Sequence, residues 1–378
     1  MEEEPLVTIY AHINTVPNGS TGGIMMKEHK ELLFAGQESY VFWGRGREAA
    51  GEDEMKIASK AEVRLDALLT RLDGRAGFHS KSATNRLLGR LNEIKPDIVH
   101  LHNLHGYYLN IEMLFDWLAE HDCHVEWTLH DCWPFTGHCA HFSYAKCAQW
   151  KSHCGESDSC PQLSSYPKTY SNGSCSWNFE HKSRVFNLLP ADRMTLTSPS
   201  QWLADLVGES FLSKYPVVVR HNTIDKTVFR PTQSDFRKRY DVGDRFLVLG
   251  VASPWTDRKG LPDFIRLAGD LNLNECVIVL VGLSKRQIKE LPEGIVALER
   301  TESQKELAGL YSSADLFFNP TVEDNFPTVN LEAEACGTSV LTYDTGGCAE
   351  TVALSGSRVV SGYNEAVLDI KGRISPNV

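Results

Sequence analysis

The chain has 378 residues, 42% hydrophobic and 23% charged, with 28 glycines and 16 prolines, a globular composition long enough for two cores. Its 38 Lys and Arg against 49 Asp and Glu give a net charge of -11, which excludes a nucleic-acid surface spread over the molecule and requires any anionic ligand to be held locally. No apolar run approaches the roughly 20 residues of a membrane span. The start, Met1-Glu-Glu-Glu-Pro5, lacks the pattern of a signal peptide, and ten cysteines are few for a disulfide scaffold, so a cytoplasmic location is expected.

Short β-branched runs alternate with helical patterns along the chain, the mark of βαβ units and parallel sheets. The first series predicts strands over Leu6–Tyr10, Ser39–Trp43, Asp97–His102, His124–His130, Met194–Ser198 and Val217–Arg220. Helices are predicted at about 24–35, 58–72, 83–94, 107–120 and 176–188. Asn18-Gly-Ser-Thr-Gly-Gly23 falls between the first strand and its helix, where glycines permit close backbone approach to a ligand; glycine turns are also common at any such junction.

From Arg64 to Lys95 the cations Arg64, Arg71, Arg75, Lys81, Arg86, Arg90 and Lys95 outnumber Asp66, Asp73 and Glu93. In an acidic chain this contrast fits either contact with anionic lipid headgroups or a solvated helix pair. Val99-His-Leu-His-Asn-Leu-His-Gly106 holds His100, His102, Asn103 and His105, and alternation puts His100 and His102 on one face of their strand, a pattern that suggests a metal. His130 and Asp131 close the next strand at its carboxyl end, where open α/β sheets bind ligands, although a lone His is more often a structural hydrogen bonder.

An insertion at about 132–175 contains Cys139, Cys147, Cys154 and Cys160, with His138, His141 and His153 among them. Four thiols in so short a segment suffice for a tetrahedral structural zinc site, but paired C-x2-C knuckles are missing, and free thiols packed over the first domain are an equal alternative.

The polar stretch Thr232 to Asp244 breaks the apolar pattern and predicts an interdomain connection, giving domains at 1–230 and 231–378. The second series predicts strands over Phe246–Ala252, Cys276–Gly282, Gly294–Leu298, Ala314–Asn319 and Ser339–Tyr343. Trp255-Thr-Asp-Arg-Lys-Gly260 places Arg258 and Lys259 at a strand-to-helix turn, where two cations either grip a diphosphate or form an exposed basic turn. Thr301-Glu-Ser-Gln304 reads as a capping box for a helix at about 302–312. After Asn319 comes a polar loop with Glu323, Asp324 and Asn325, then Phe326, Pro327 as the expected first helical residue, Thr328, Glu332 in the second turn and Gly337 as the stop. The N–H groups of that helix start can hold a diphosphate without a basic protein. The carboxylates either accept sugar or ribose hydroxyls or simply cap the helix.

The segment Asn319 to Thr338 resembles the signature of family 4 retaining glycosyltransferases, a Glu, seven residues, then a second Glu followed by Ala. Glu332 matches the second Glu and Asp324 stands at the first, with Glu323 beside it. The form Glu-Asp-Asn-Phe-Pro is similar to a subgroup from capsule, exopolysaccharide and colanic-acid-type gene clusters. Gly346, Gly347 and Glu350 resemble the family's Gly-Gly-x-x-Glu ending, and Asn222-Thr-Ile-Asp225 its Asn-Gly-Ile-Asp segment with Thr223 for Gly. Where the family has a diphosphate-binding Arg five residues before Lys259, this chain has Pro254, and Arg258 is the substitute. After Glu350 the chain is shorter than the family pattern.

The resemblance implies an α/β GT-B fold, two Rossmann-like domains facing across a cleft. It implies a nucleotide-diphosphate sugar as donor, no catalytic metal, and an acceptor that is a glycan or polyprenyl-diphosphate-linked, reached by peripheral contact with the inner face of the membrane. His130, Asp324, Glu332 and Lys259 become the expected catalytic residues. Gly22, Gly23 and Arg258 join them as donor contacts, with the loop residues Glu323, Asn325, Phe326, Pro327 and Thr328. His102, Asn103 and Asp131 are expected on the acceptor side, a better reading of His102 than a metal. A GT-B nucleotide-sugar epimerase and a non-catalytic sugar-nucleotide-binding protein are the alternatives.

Overall fold

The computed structural model describes residues 7–155, 159–171 and 173–375, in two compact units, Met1–Arg220 and His221–Val378. In the first, seven parallel strands, β1 (Ile9–Asn14), β2 (Glu38–Trp43), β3 (Glu54–Lys56), β4 (Ile98–Leu101), β5 (His124–Thr128), β6 (Met194–Ser198) and β7 (Val217–Val219), lie in the order β3-β2-β1-β4-β5-β6-β7. Alternation divides them between two faces. Ala11, Ile13, Val99, Leu101, Val125 and Trp127 enter the main core of this unit. The opposite face, toward helix α1 (Gly19–Phe34), carries a separate small apolar cluster of Met25, Val41 and Trp43.

β1 runs Ile9–Asn14, not Leu6–Tyr10. The apolar run Leu6 to Tyr10 drew the expectation toward the N-terminus, whereas the strand continues through the buried polar residues His12 and Asn14; Leu6 lies outside the described residues. α1 likewise starts at Gly19, so the expected glycine loop is its first turn. The second helix, α2, is Lys60–Asp73, opened by a complete capping box between Ser59 and Glu62. β3 escaped prediction because Glu54-Met55-Lys56 offers no apolar alternation.

In the second unit, β8 (Phe246–Val251), β9 (Cys276–Val281), β10 (Ile295–Leu298), β11 (Leu316–Asn319), β12 (Val340–Tyr343) and β13 (Arg358–Val360) form a parallel sheet in the order β10-β9-β8-β11-β12-β13. Both faces are apolar, as a sheet covered by helices on two sides requires. The stretch Thr232 to Asp244 is not a free connection: Phe236 and Val242 are buried with Phe229 in one of these cores. The helix expected at 302–312 is Gln304–Ser313, capped by Ser303, whose hydroxyl accepts the Glu306 N–H, so Thr301 is not the cap.

Candidate functional site

In the second unit, β8 leads into a single 3-10 turn, Asp257–Lys259, whose capping Thr256 hydroxyl accepts the Lys259 N–H at 3.3 Å. Gly260 follows at φ +81°, and a Cβ there would lie 2.4 Å from the Pro320 carbonyl oxygen. Only glycine permits that approach, and it seats the two cations against the loop after β11. The Arg258 guanidinium donates to the Glu323 carbonyl at 2.5 Å, and the Arg258 carbonyl accepts the Val322 N–H at 2.9 Å. Lys259 donates to the Asp324 carboxylate. From the turn after β12, the Gly347 N–H reaches the Asp324 carbonyl at 3.1 Å, and a Cβ on Gly346 would stand 1.8 Å from that oxygen. Arg258, Lys259, Glu323, Asp324, Gly346 and Gly347, widely separated in sequence, therefore form one constellation.

The loop is held from beneath by Asn319, whose amide donates to the Asn330 side chain at 2.9 Å, and by Asn330, which donates to the Thr351 hydroxyl at 2.8 Å. Glu323 and Asn325 are buried, and the buried Phe326 ring stacks on His221 with centroids 4.8 Å apart. Pro327 is the cap of the following helix, Thr328–Ala335, and not its first residue; the Asn330 N–H uses its carbonyl. Glu332, in the second turn, accepts a hydrogen bond from the Tyr311 hydroxyl at 3.0 Å. Burial lifts the Glu332 carboxyl to about 7, against the opposing effect of that bond. Tyr311 escaped the sequence reading: it lies in a predicted helix and reads there as an ordinary core aromatic.

In the first unit, His130 is half-buried, its Nε2 3.2 Å from His102 Nδ1 and the two rings stacked at 5.4 Å. Burial, opposed by Asp131 and reinforced by His100, lowers His130 to about 4, so it is neutral near pH 7. Asp131 pairs instead with His105, 2.8 Å away, and accepts the Trp133 N–H at 2.9 Å. Burial alone would raise its carboxyl, but His105 and the Trp133 bond hold it at about 2. Asn103 contributes its backbone: its carbonyl accepts the hydroxyls of Thr15 and Tyr108. Of the two glycines, Gly22 is packed so tightly that a Cβ would meet the Val16 carbonyl oxygen at 2.5 Å, while Gly23 has open space.

In the cysteine-rich segment, Cys139 and Cys154 are buried and Cys147 and Cys160 half-buried. Hydrogen bonds from Cys139 and from Cys175, a residue outside the expected set, pull the Cys160 thiol strongly down. The buried Lys182 donates to the carbonyls of Trp133 and Thr136 at 2.8 and 2.9 Å, with its ammonium 3.6 Å from the Trp133 ring centre. Burial brings it to about 7 although the neighbouring thiols and Asp131 favour its charge. Of the basic residues between 64 and 95, Arg86 bonds the Ile57 carbonyl and Glu62, Arg90 pairs with Glu93, and Arg75 lies over Trp177. α2 exposes Leu65, Leu68, Leu69 and Leu72 beside them. No helix among the described residues is long and apolar enough to cross a membrane.

Two parallel-sheet α/β units with polar residues gathered at strand ends are the architecture of GT-B enzymes. Among solved structures the chain is similar to sucrose-phosphate synthase from Thermosynechococcus elongatus, with a TM-score of 0.70 at 13% identity over 98% of this chain and 90% of that one. It is also similar to Anabaena HepE in complex with UDP, at 0.63 and 13% over 98% and 91%.

Residues 233–368 match the family model of glycosyl transferases group 1, and the chain is a glycosyltransferase carrying that domain. Over 95% of its length it is 25% identical to 88% of the Escherichia coli (strain K12) protein that bears the name colanic acid biosynthesis glycosyl transferase WcaC.

Proposed function

We propose that the chain is a retaining, metal-independent family 4 glycosyltransferase that moves a sugar from a nucleotide-diphosphate sugar to an acceptor hydroxyl on a lipid-linked or growing surface polysaccharide. The observation that carries this reading is the seating of Arg258 and Lys259 against the Glu323–Asp324 loop that leads into the helix Thr328–Ala335. In this reading the bond from the anomeric carbon to the diphosphate oxygen breaks, and its electrons leave with the diphosphate. Arg258, Lys259 and the N–H groups of the helix start balance that charge. The acceptor oxygen bonds to the anomeric carbon from the same face, and its proton passes to the departing phosphate. Asp324 and Glu332 accept donor-sugar or ribose hydroxyls, with Glu323, Asn325, Phe326, Pro327, Thr328, Gly22 and Gly23 as further donor contacts, and neutral His130 orients a sugar hydroxyl. His102, Asn103 and Asp131 serve the acceptor, so the unit Met1–Arg220 acts as acceptor domain and His221–Val378, which takes in Phe229 and so starts before the expected residue 231, as donor domain.

The donor class draws support from the UDP in the HepE complex, and the acceptor class from the name of the colanic-acid relative. Lipid-linked acceptors suit peripheral docking on an anionic membrane through α2, whose exposed leucines lie beside Arg64 and Arg71. A structural zinc at Cys139, Cys147, Cys154 and Cys160 is proposed as well; it requires these thiols to draw closer together than they stand among the described residues. The test is a panel of UDP-, GDP- and ADP-sugars incubated with lipid-linked glycan without added divalent cation. Acceptor-dependent nucleotide release with retained anomeric configuration is expected. An inverted product would overturn retention, a need for added magnesium or manganese would overturn metal independence, and acceptor-independent isomerisation of the donor would favour the epimerase.

A further inference from the structure

The first unit holds a second set of functional groups, of which the glycosyl-transfer reading uses only His102. His12 lies on β1 directly opposite His100 on β4, and His102, just past the end of β4, stacks its ring on that of His100 with centroids 4.3 Å apart. Above them α1 lowers Glu28 onto these rings. The four side chains have ligand atoms all within 4.8 Å of one another. His12, His100 and His102 are 1%, 3% and 1% exposed. Both ring nitrogens of His12, Nε2 of His102 and Oε2 of Glu28 have no hydrogen-bond partner among the described residues. Buried polar atoms are rarely left so, and each such group calls for an explanation.

We propose that His12, Glu28, His100 and His102 form a binding site for a divalent transition-metal ion of the zinc class. Glu28 Oε2 lies 3.2 Å from His100 Nδ1 and 3.9 Å from His102 Nε2. Ligands on a tetrahedral ion with bonds of about 2.0–2.1 Å are about 3.4 Å apart, so small side-chain shifts would close the set around an ion. Three imidazoles and one carboxylate select zinc, cobalt or nickel over calcium and magnesium, which prefer oxygen. Burial, with the neighbouring imidazoles, lowers His12 and His102 well below the usual histidine range and leaves them as neutral ligands at neutral pH. The outward nitrogens are already oriented, as they are in metal-bound histidines. His100 Nε2 is 2.8 Å from the Thr128 hydroxyl, and His102 Nδ1 is 3.2 Å from His130 Nε2. Glu28 is a quarter exposed and gives the ion its path from solvent.

The site would also act on His130. An ion on His102 Nε2 leaves the His102 proton on Nδ1, donated to His130 Nε2. His130 then carries its own proton on Nδ1. This consequence rests on the glycosyl-transfer reading of His130, but the metal site does not, and its test reads metal and not turnover.

The full chain is stripped of metal and titrated first with cobalt(II), then with zinc, beside the Glu28→Gln and His12→Phe variants. The expected wild-type cobalt spectrum contains visible bands from imidazole and carboxylate ligation without the near-ultraviolet charge-transfer band of thiolates, in addition to any thiolate signal from the cysteine segment. Both variants should lose that component and bind a full equivalent less zinc. Equal zinc content in wild type and Glu28→Gln, or a wild-type spectrum with thiolate bands alone, would overturn the proposal. Because Glu28 is partly exposed, Glu28→Gln keeps the test valid if His12→Phe fails to fold.

Discussion

On the α1 side of the first sheet, His12 on β1, His100 on β4 and His102 just past its end are buried against one another, and three nitrogens of His12 and His102 lack hydrogen-bond partners among the described residues. In the second unit the chemistry sits beyond the strand ends, where Arg258 and Lys259 are bound to a carbonyl and a carboxylate of one loop. The contrast teaches how each set is held. The histidines are fixed by strand register, and in our proposal an ion satisfies them; the cations are fixed by backbone turns, and in the proposed reaction they exchange a protein partner for a diphosphate. Substitutions at the second set should therefore affect turnover most, and substitutions at turns should affect folding.

The largest expected effect is on Lys259→Ala and Glu332→Ala, each predicted to lower kcat/KM by about 100-fold or more in a nucleotide-release assay, because each removes a proposed contact to the departing or transferred group. Full activity in both variants would break the assignment. Lys182→Met should come next. It leaves the Trp133 and Thr136 carbonyls buried without their donor, at about 2–4 kcal/mol in chemical denaturation. Lys182 is lowered to about 7 in the folded chain, which binds fewer protons there than the unfolded chain, so its contribution makes stability rise from pH 7 toward 10, a slope absent in the variant.

A finer comparison lies between glycines. Gly346→Ala, at φ +58° and against the Asp324 carbonyl, should destabilise by about 3 kcal/mol. Gly23→Ala, inside α1 with nothing within 4 Å, should instead stabilise by about 0.5–1 kcal/mol in thermal melts. A donor-affinity titration across pH should show the smaller effect of Glu332. With its carboxyl at about 7, it gains its charge as pH rises through that value, so donor binding should strengthen there, and Glu332→Gln should flatten the profile. Its raised carboxyl works the opposite way on folding, favouring the native state below about 4.5 and losing that contribution as pH rises through 7.

The parallel sheets were legible because buried strands such as Cys276–Val281 are continuous apolar runs. Arg258, Lys259, Asp324 and Glu332 were legible because their chemistry is packed into short motifs at strand ends. β1 was displaced because His12 and Asn14 hide a strand among polar letters, and with it went the partner of His100. Glu28, Cys175 and Tyr311 were missed for a related reason: each meets its partners through tertiary packing, and local spacing carries no trace of it.

β5 and β6 are neighbours in the first sheet, yet the chain between them runs from Thr128 to Met194 through the whole cysteine-rich segment. Closing so long a crossover is an entropic barrier on the folding route, and parallel pairing cannot begin to repay it until the ends meet. Lys182, gripping the carbonyls of Trp133 and Thr136, ties the far end of that crossover to its beginning. One buried ammonium thus closes, in the folded chain, most of the long path between two neighbouring strands.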